Sequence, residues 1–522
     1  MNKVFKSLVA VAATAAMAIA GFAGAASATA AEAEGYTLTI NNTETGHTYE
    51  AYQVFKGRLD NGTLSDIEWG ENVDGVALST EKYDNKAAKD IAKGLKSIKD
   101  AEAFANNVAG ANGAKNYLKT TTHSVTGKTG QSADITGLSA GYYLLKDTID
   151  SATAPQPAAY TKFILKVVGN VDVTPKTDTP SVEKKVQENS DKYAIEGGYG
   201  AGYNDVADYN IGDAVPFKLI GTVPNNMDRY DTYKYTFNDT ASNGLTLPSE
   251  DGVKVYVADD KAGTKETDIT SSATITVDGQ KLTVAFTDLK TVKGVTAGKY
   301  IIVEYSATLN GNAAIGQSGN ENAVKLTFSN NPNQSGEGGE NPQGETPEDK
   351  VIVFTYQLNG TKVDATDKNK TLKDAEFKLQ RQSDTKWAQI SNGKVTGWVE
   401  SEDDASVVTS DANGKFHVAG LDDGKYNVKE IKAPAGYDLP AKPFEVILVA
   451  KTVNNQEWDG EPANALTDHT DGQFNETFVN NAGSDLPSTG GMGTTVLYAA
   501  GAAIVLVAAF GIAFAVRRRN AR

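Results

Sequence analysis

The sequence predicts an all-β chain, with β-sandwich domains set in series between an export leader and a membrane anchor. Three observations predict it. Short runs of alternating apolar and polar residues recur between Gly, Asn and Asp turns, the pattern of antiparallel sandwich strands. Two stretches interrupt these runs: "VDVTPKTDTPSVEKKV" holds a short extended linker with two prolines and three threonines, and "SGEGGENPQGETPED" is too polar to bury a core. The length of 522 residues allows about three domains.

The elements follow in chain order. "MNKVFKSLVAVAATAAMAIAGFAGAASATAAEAEG" has a basic start at Lys3 and Lys6, an apolar stretch and then small residues. That is a secretory signal peptide over residues 1–30, cut after Ala28 or Ala30. The first unit, 31–173, opens with strand-like alternation in "YTLTINNTETGHTYEAYQVFKG" and a turn at Thr45 to His47. A helical insertion follows in "NKAAKDIAKGLKSI", where Ala87, Ala88, Ile91, Leu95 and Ile98 keep near-helical spacing. "GYYLLKD" and "YTKFILKVV" return to strand.

Residues 174–181 form a short extended linker in which Lys176 stands behind Pro175. The middle unit, 182–334, carries the strands "DTYKYTFNDT", "GKYIIVEYSATL" and "NAVKLTFS". After a linker over 335–349, the third unit, 350–485, offers "TLKDAEFKLQ", "GKFHVAG", "GKYNVKEIKAPAGYDLP" and "PFEVILV". The expected architecture is a row of sandwiches on short links.

The chain ends in "DLPSTGGMGTTVLYAAGAAIVLVAAFGIAFAVRRRNAR". Thr494 to Val516 carry no charge, a run long enough to span a bilayer as a transmembrane helix. Arg517, Arg518 and Arg519 place the tail, 517–522, on the cytoplasmic side.

Composition narrows the function. A net charge of −16 argues against nucleic acid and against anionic membrane surfaces as partners. His47, His123, His417 and His469 show no ligand spacing, so no zinc site is expected, and the sequence offers no other metal or cofactor motif. "GKTG" at Gly127 to Gly130 lacks the glycine a phosphate loop needs at position 122, which is Thr122, and reads as a turn. An exported chain without cysteine must hold its domains by large cores or by another crosslink.

Three motifs together resemble the backbone (major) pilins of sortase-assembled Gram-positive pili, over the whole chain. "LPSTGG", the apolar span and the arginines match a sortase sorting signal, Leu486, Pro487, Ser488, Thr489 and Gly490. "GKYNVKEIKAPAGYDLP" resembles the E-box of a CnaB-type domain. "VDVTPKT" resembles the pilin motif, with Thr174 in place of its tyrosine and Thr177 in place of its asparagine. The resemblance implies tandem Ig-like, Cna-type sandwiches and a structural protein rather than an enzyme.

It also implies a chemistry. A sortase thiolate attacks the Thr489 carbonyl, expels Gly490 and holds the acyl group until an amine resolves it. In a growing fibre that amine is Lys176 of another copy of the chain. The implied partners are a pilus-specific class C sortase, a housekeeping sortase, further copies of the chain, peptidoglycan, and a tip pilin, with adhesion to an unidentified glycan or matrix ligand as the role. The alternative is a wall-anchored adhesin or tip pilin, which needs no acceptor lysine. A tethered hydrolase fits poorly, for no nucleophile elbow, zinc motif or Ser/His/Asp arrangement is evident.

In this family, lysine and asparagine side chains also condense inside the sandwich, assisted by a carboxylic acid. Burial favours the neutral amine and the protonated acid that this needs. Strand parity selects residues. Val182, Lys184 and Val186 share a face while Lys185 points away, and Tyr233, Tyr235 and Phe237 continue to Asp239. Val324, Leu326 and Phe328 are flanked on their face by Asn322 and Asn330. The middle set is therefore Lys184, Asp239 and Asn322, with Asn330 the other choice. For the third unit "YQLNGTKVDA" offers Lys362, the E-box supplies Glu430, and parity turns Asn480 rather than Asn481 inward. The first unit shows no such set. Each amide is expected to tie the first strand of its domain to the last.

Overall fold

The computed structural model describes residues 35–96, 98–110, 115–149, 162–174, 178–189, 198–331, 343–452, 458, 460–483 and 504–505. The signal peptide, Lys176, the sorting signal and the apolar span other than Ile504 and Val505 lie outside the described residues. Among the described residues no helix is long and apolar enough to cross a membrane.

In the first unit, the strand His47–Asp60 is apolar on both faces and becomes the centre of three layers. Tyr49 and Ala51 pack with Leu38, Ile40 and Ile135 of a three-stranded sheet. Tyr52 and Val54 face the helices and pack with Leu78, Ile91, Phe104 and Val108. The two side-chain sets alternate along one strand, so one sheet serves two cores. The helical insertion is three helices, Gly75–Lys82, Ala88–Gly94 and Ile98–Ala109, where the sequence suggested one run across 94–98. The break follows Gly94, a weak helix former, and the Lys96 amide is taken by Asp100 (3.1 Å) at the start of the next helix.

The middle unit is a sandwich of two seven-stranded sheets. In one, Val182–Gln187 pairs with Ala214–Thr222, which pairs with Tyr300–Leu309. In the other, Tyr235–Ala241 lies between Lys281–Phe286 and Asn320–Ser329. The alternating inward residues, among them Phe217, Leu219, Tyr235, Phe237, Val303, Leu326 and Phe328, fill the space between the sheets and are essentially fully buried.

The boundary between the middle and third units differs from the sequence reading. Asp349–Phe354, assigned there mostly to the third unit, completes the second sheet of the middle unit, beside Asn320–Ser329 and Val206–Asp208. Gln343–Glu345, inside the expected linker, also pairs with Asn320–Ser329. The sheets part at Thr355. The stretch "VIVFTYQL" carries no Gly, Pro or Asn to mark that change, so the run reads as one element.

The third unit is a nine-stranded sheet that curls around its own core. Its first strand, Tyr356–Asp364, runs parallel to its last, Gln473–Asn480. Phe377, Phe416, Phe444 and Phe478 pack together at the centre, and the edge-on Phe444–Phe478 contact (5.2 Å between centroids) brings the two sheet ends together.

The middle and third units are joined more closely than sandwiches on short links. Their buried apolar residues form one continuous core. Arg381 grips both carboxylate oxygens of Asp213 (2.7 and 2.9 Å) and stacks on Trp398, whose indole donates to the Ile211 carbonyl (3.1 Å). The Ile211 amide donates in turn to the Gly420 carbonyl (3.0 Å).

Candidate functional site

Two buried clusters of lysine, carboxylate and asparagine stand out, one in each of the last two units. In the third unit, neighbouring parallel strands set Lys362 two residues before Asp364, which is paired with Asn480. Both side chains reach the core face, and Glu430 enters from the strand Gly424–Lys432. Lys362, Glu430 and Asn480 are 0, 4 and 2 % exposed. The Lys362 amine donates to Glu430 Oε2 (2.6 Å) and to Asn480 Oδ1, and Asn480 Nδ2 donates to Glu430 Oε1 (2.6 Å). The three groups form a closed ring of hydrogen bonds. The Phe377 and Phe444 rings flank the amine at 5.6 and 4.9 Å and keep water away.

Burial lowers the pKa of the Lys362 amine, and its bond to Glu430 only partly offsets that. A fraction of neutral amine is thereby available as a nucleophile, next to a polarised side-chain amide. Such an arrangement can join Nζ to the asparagine Cγ and release ammonia.

In the middle unit the cluster bridges the two sheets. Lys184 comes from Val182–Gln187 on one side, and Asp239 and Asn322 from neighbouring strands on the other. All three are essentially inaccessible to water. The Lys184 amine donates to Asp239 Oδ2 (2.7 Å). Burial lowers its pKa, against the opposing pull of Asp239. No hydrogen bond links Lys184 to Asn322 directly. The link runs through Tyr305, whose hydroxyl donates to Asp239 Oδ2 (2.5 Å) and accepts from Lys184 (3.1 Å) and from Asn322 Nδ2 (2.7 Å). Burial beside Asp239 raises the Tyr305 pKa well above the phenol range, so the hydroxyl keeps its proton. Asp239 Oδ1 and Asn322 Oδ1 are buried without a hydrogen-bond partner.

Sequence reasoning missed Tyr305. Its signal was present, because in "YIIVEYSATL" parity puts Tyr305 on the face of Ile301 and Val303. An aromatic residue at a core position simply reads as packing. Asn330, the other choice for the middle set, is half-buried at the far end of its strand, and its Oδ1 also lacks a partner.

Lys185 does point away from Lys184, yet it is buried as well. It pairs with Asp205 (2.5 Å) and lies over the Tyr199 ring (4.8 Å). The segment around Tyr199 and Tyr203 covers what alternation alone would make a solvent face.

Among the described residues of the first unit, the buried polar pair is His47 with Asp147, Nδ1 standing 2.9 Å from both carboxylate oxygens. In the middle unit the Asn322 strand is not the last, since Asp349–Phe354 follows it. The expected tie from first strand to last therefore holds for the geometry of the third unit alone.

Three family models match the chain. The Cna-B-like domain of Gram-positive pilin backbone subunit 2 matches residues 211–332, the SpaA prealbumin-like fold domain 356–462, and the LPXTG cell wall anchor motif 479–521. The fimbrial subunit type 2 of Actinomyces naeslundii is 25 % identical over 397 residues, 71 % of this chain and 66 % of that protein. The trypsin-resistant surface T6 protein of Streptococcus pyogenes serotype M6 is 28 % identical over 152 residues, 28 % of this chain and 25 % of that protein. The chain thus spans from a quarter to about two thirds of these curated relatives.

Among solved structures, the T6 backbone pilin of Streptococcus pyogenes superposes with a TM-score of 0.55 at 18 % identity, covering 87 % of this chain and all of that one. The major pilin SpaD of Corynebacterium diphtheriae gives 0.50 at 20 %, covering 87 and 98 %. At these identities the likeness is one of fold. Matches to a Gram-positive pilin backbone domain, a SpaA domain and an LPXTG wall anchor motif follow one another along the chain.

Proposed function

We propose that this chain is the repeating unit of a covalent fibre, joined by sortase from Thr489 of one copy to Lys176 of the next. A pilus-specific class C sortase would make each joint. A housekeeping sortase would attach the finished fibre to peptidoglycan, and a tip pilin would close its far end. The anchor motif that follows two pilin-type domains is the observation that carries this reading. The apolar span and arginines would hold the exported chain at the membrane while sortase acts. Everything beyond Thr489 would then be discarded.

Within each of the last two units an internal amide would close, Lys184 to Asn322 and Lys362 to Asn480. The neutral lysine Nζ attacks the asparagine Cγ, the new C–N bond forms, and Nδ2 leaves as ammonia with the proton taken from the amine. Asp239 and Glu430 would relay that proton. The ring of contacts in the third unit supports this, as do the buried, unpartnered oxygens of Asp239 and Asn322 in the middle one.

Mass spectrometry of material released from the wall tests both parts. The expected result is a branched peptide joining Thr489 to Lys176, with one ammonia lost at each internal pair. A Lys176→Arg strain should lose its ladder of high-mass polymers. Retention of the ladder would exclude Lys176 as the acceptor.

A further inference from the structure

A second group of acids lies where the middle unit meets the third. Asp208 ends the strand Val206–Asp208, and Asp422 and Asp423 form the turn between Lys415–Leu421 and Gly424–Lys432. One carboxylate oxygen from each lies within 4.8 Å of the others. Asp208 and Asp422 are 2 and 6 % exposed, and among the described residues neither forms an ion pair with a basic side chain.

The hydrogen bonds around the group leave a gap. Tyr356 donates its hydroxyl to Asp208 Oδ2 (2.8 Å), and the Asp208 amide donates to Glu188 Oε2 (3.1 Å). Asn189 Nδ2 donates to Asp422 Oδ2 (2.9 Å), and the Asp422 amide donates to Asn210 Oδ1 (3.1 Å). Asp422 Oδ1 is buried and receives no hydrogen bond from an amide, hydroxyl or amine among the described residues, and the neighbouring charged group is the Asp208 carboxyl. Buried carboxylates this close must be neutralised, by a proton or by a cation.

The donor set selects the ion. It is all oxygen, with neither imidazole nor thiolate, which excludes a zinc-type site and suits a hard divalent cation. Oxygens held within 4.8 Å of one another can share an ion with bonds of about 2.3–2.6 Å, the calcium range. We propose that Asp208, Asp422 and Asp423 bind a divalent cation of the calcium class across the seam between the middle and third units. The ion would tie the last residue of a middle-unit strand to a turn of the third unit, across the junction that also holds Arg381 and Asp213. No motif along the chain marks it, because Asp208 lies far from Asp422 and Asp423 in sequence and histidine spacing speaks only to zinc.

The test uses the full chain, purified in detergent and stripped with EDTA at neutral pH. Calcium chloride added in a calorimeter should give a one-site isotherm. Replacing both buried acids, Asp208→Asn with Asp422→Asn, should weaken binding by about tenfold or more, at least the cost of losing an outer hydrogen-bond partner of a ligand. Excess calcium should raise the thermal midpoint of the wild type and leave that of the double variant unmoved. Asp423→Asn, at the half-exposed member, gives the same reading if the buried pair proves necessary for folding. No isotherm with calcium, or an equal response in the variants, overturns the site and leaves Asp208 and Asp422 as a proton-sharing pair.

Discussion

At Lys362 the amine is enclosed by Glu430, Asn480 and two phenyl rings, and the residue is fully buried. Removing the acid should therefore do two things. Glu430→Ala should leave the intact chain heavier by one ammonia, because the proton relay is lost. It should also lower stability by about 4–5 kcal/mol, if closing a loop of 118 residues stabilises as the disulfide model gives. Intact mass and thermal melting of the full chain check both. Tyr305→Phe should act on the middle unit alone, since that hydroxyl is the link between Lys184, Asp239 and Asn322. One retained ammonia, localised by peptide mapping to the middle unit, is the expected outcome. Two, or none, would show that Tyr305 has a different part. A pH dependence follows from the depressed Lys362 pKa. Between the folded value and the unfolded one, about 10.4, the unfolded chain binds more protons, so stability rises with pH across that window. Asn480→Ala, in which the amide cannot close, should be less stable than Asn480→Ala with Lys362→Met at neutral pH. The gap should narrow as pH rises toward about 10.

At the scale of strands, parity was enough to pick Lys184 over Lys185 for the core and Asn480 over Asn481, because side chains alternate strictly and the flanking valines and phenylalanines fix which face is inward. Parity could not say what covers the other face, and Lys185 against Asp205 is the result. Nor could it divide "VIVFTYQL", where a strand buried on both faces of the middle unit runs on into the first strand of the third. The junction so formed depends on close approach at Gly420. Its φ is +89°, and a Cβ there would stand 2.5 Å from Ile211. Gly420→Ala should cost about 1–3 kcal/mol through overpacking and strain. It should also split a joint calorimetric transition of the middle and third units into two, while a single undisturbed transition would show that the contact does not couple them.

For the whole molecule the direction of load matters. If force enters at Lys176 and leaves at Thr489, it crosses the middle and third units and bypasses the first. In the third unit an amide between the first and last strands would divert the pull around the sheet. In the middle unit the proposed amide ends at Asn322, and the strands Gln343–Glu345 and Asp349–Phe354 lie beyond it. That segment, between Asn322 and Lys362, has to be held by hydrogen bonds and packing alone. Single-molecule pulling through residues 176 and 489 should release no more than roughly 140 Å from these two units, its fully extended length. Extension of the complete domains would show that the amides are absent or do not carry the load.

The sequence by itself determined the class of fold, the wall anchor motif, and the lysine, acid and asparagine of each internal cluster. These rest on periodicity and on motifs read along the chain, which are local quantities. Tertiary structure alone decided that Tyr305 stands between Lys184 and Asn322, that Asp349–Phe354 closes the middle sheet, and that Asp208 meets Asp422 and Asp423. Each of these brings together residues from separate strands, and which strands become neighbours is set by how the sheets pair and pack.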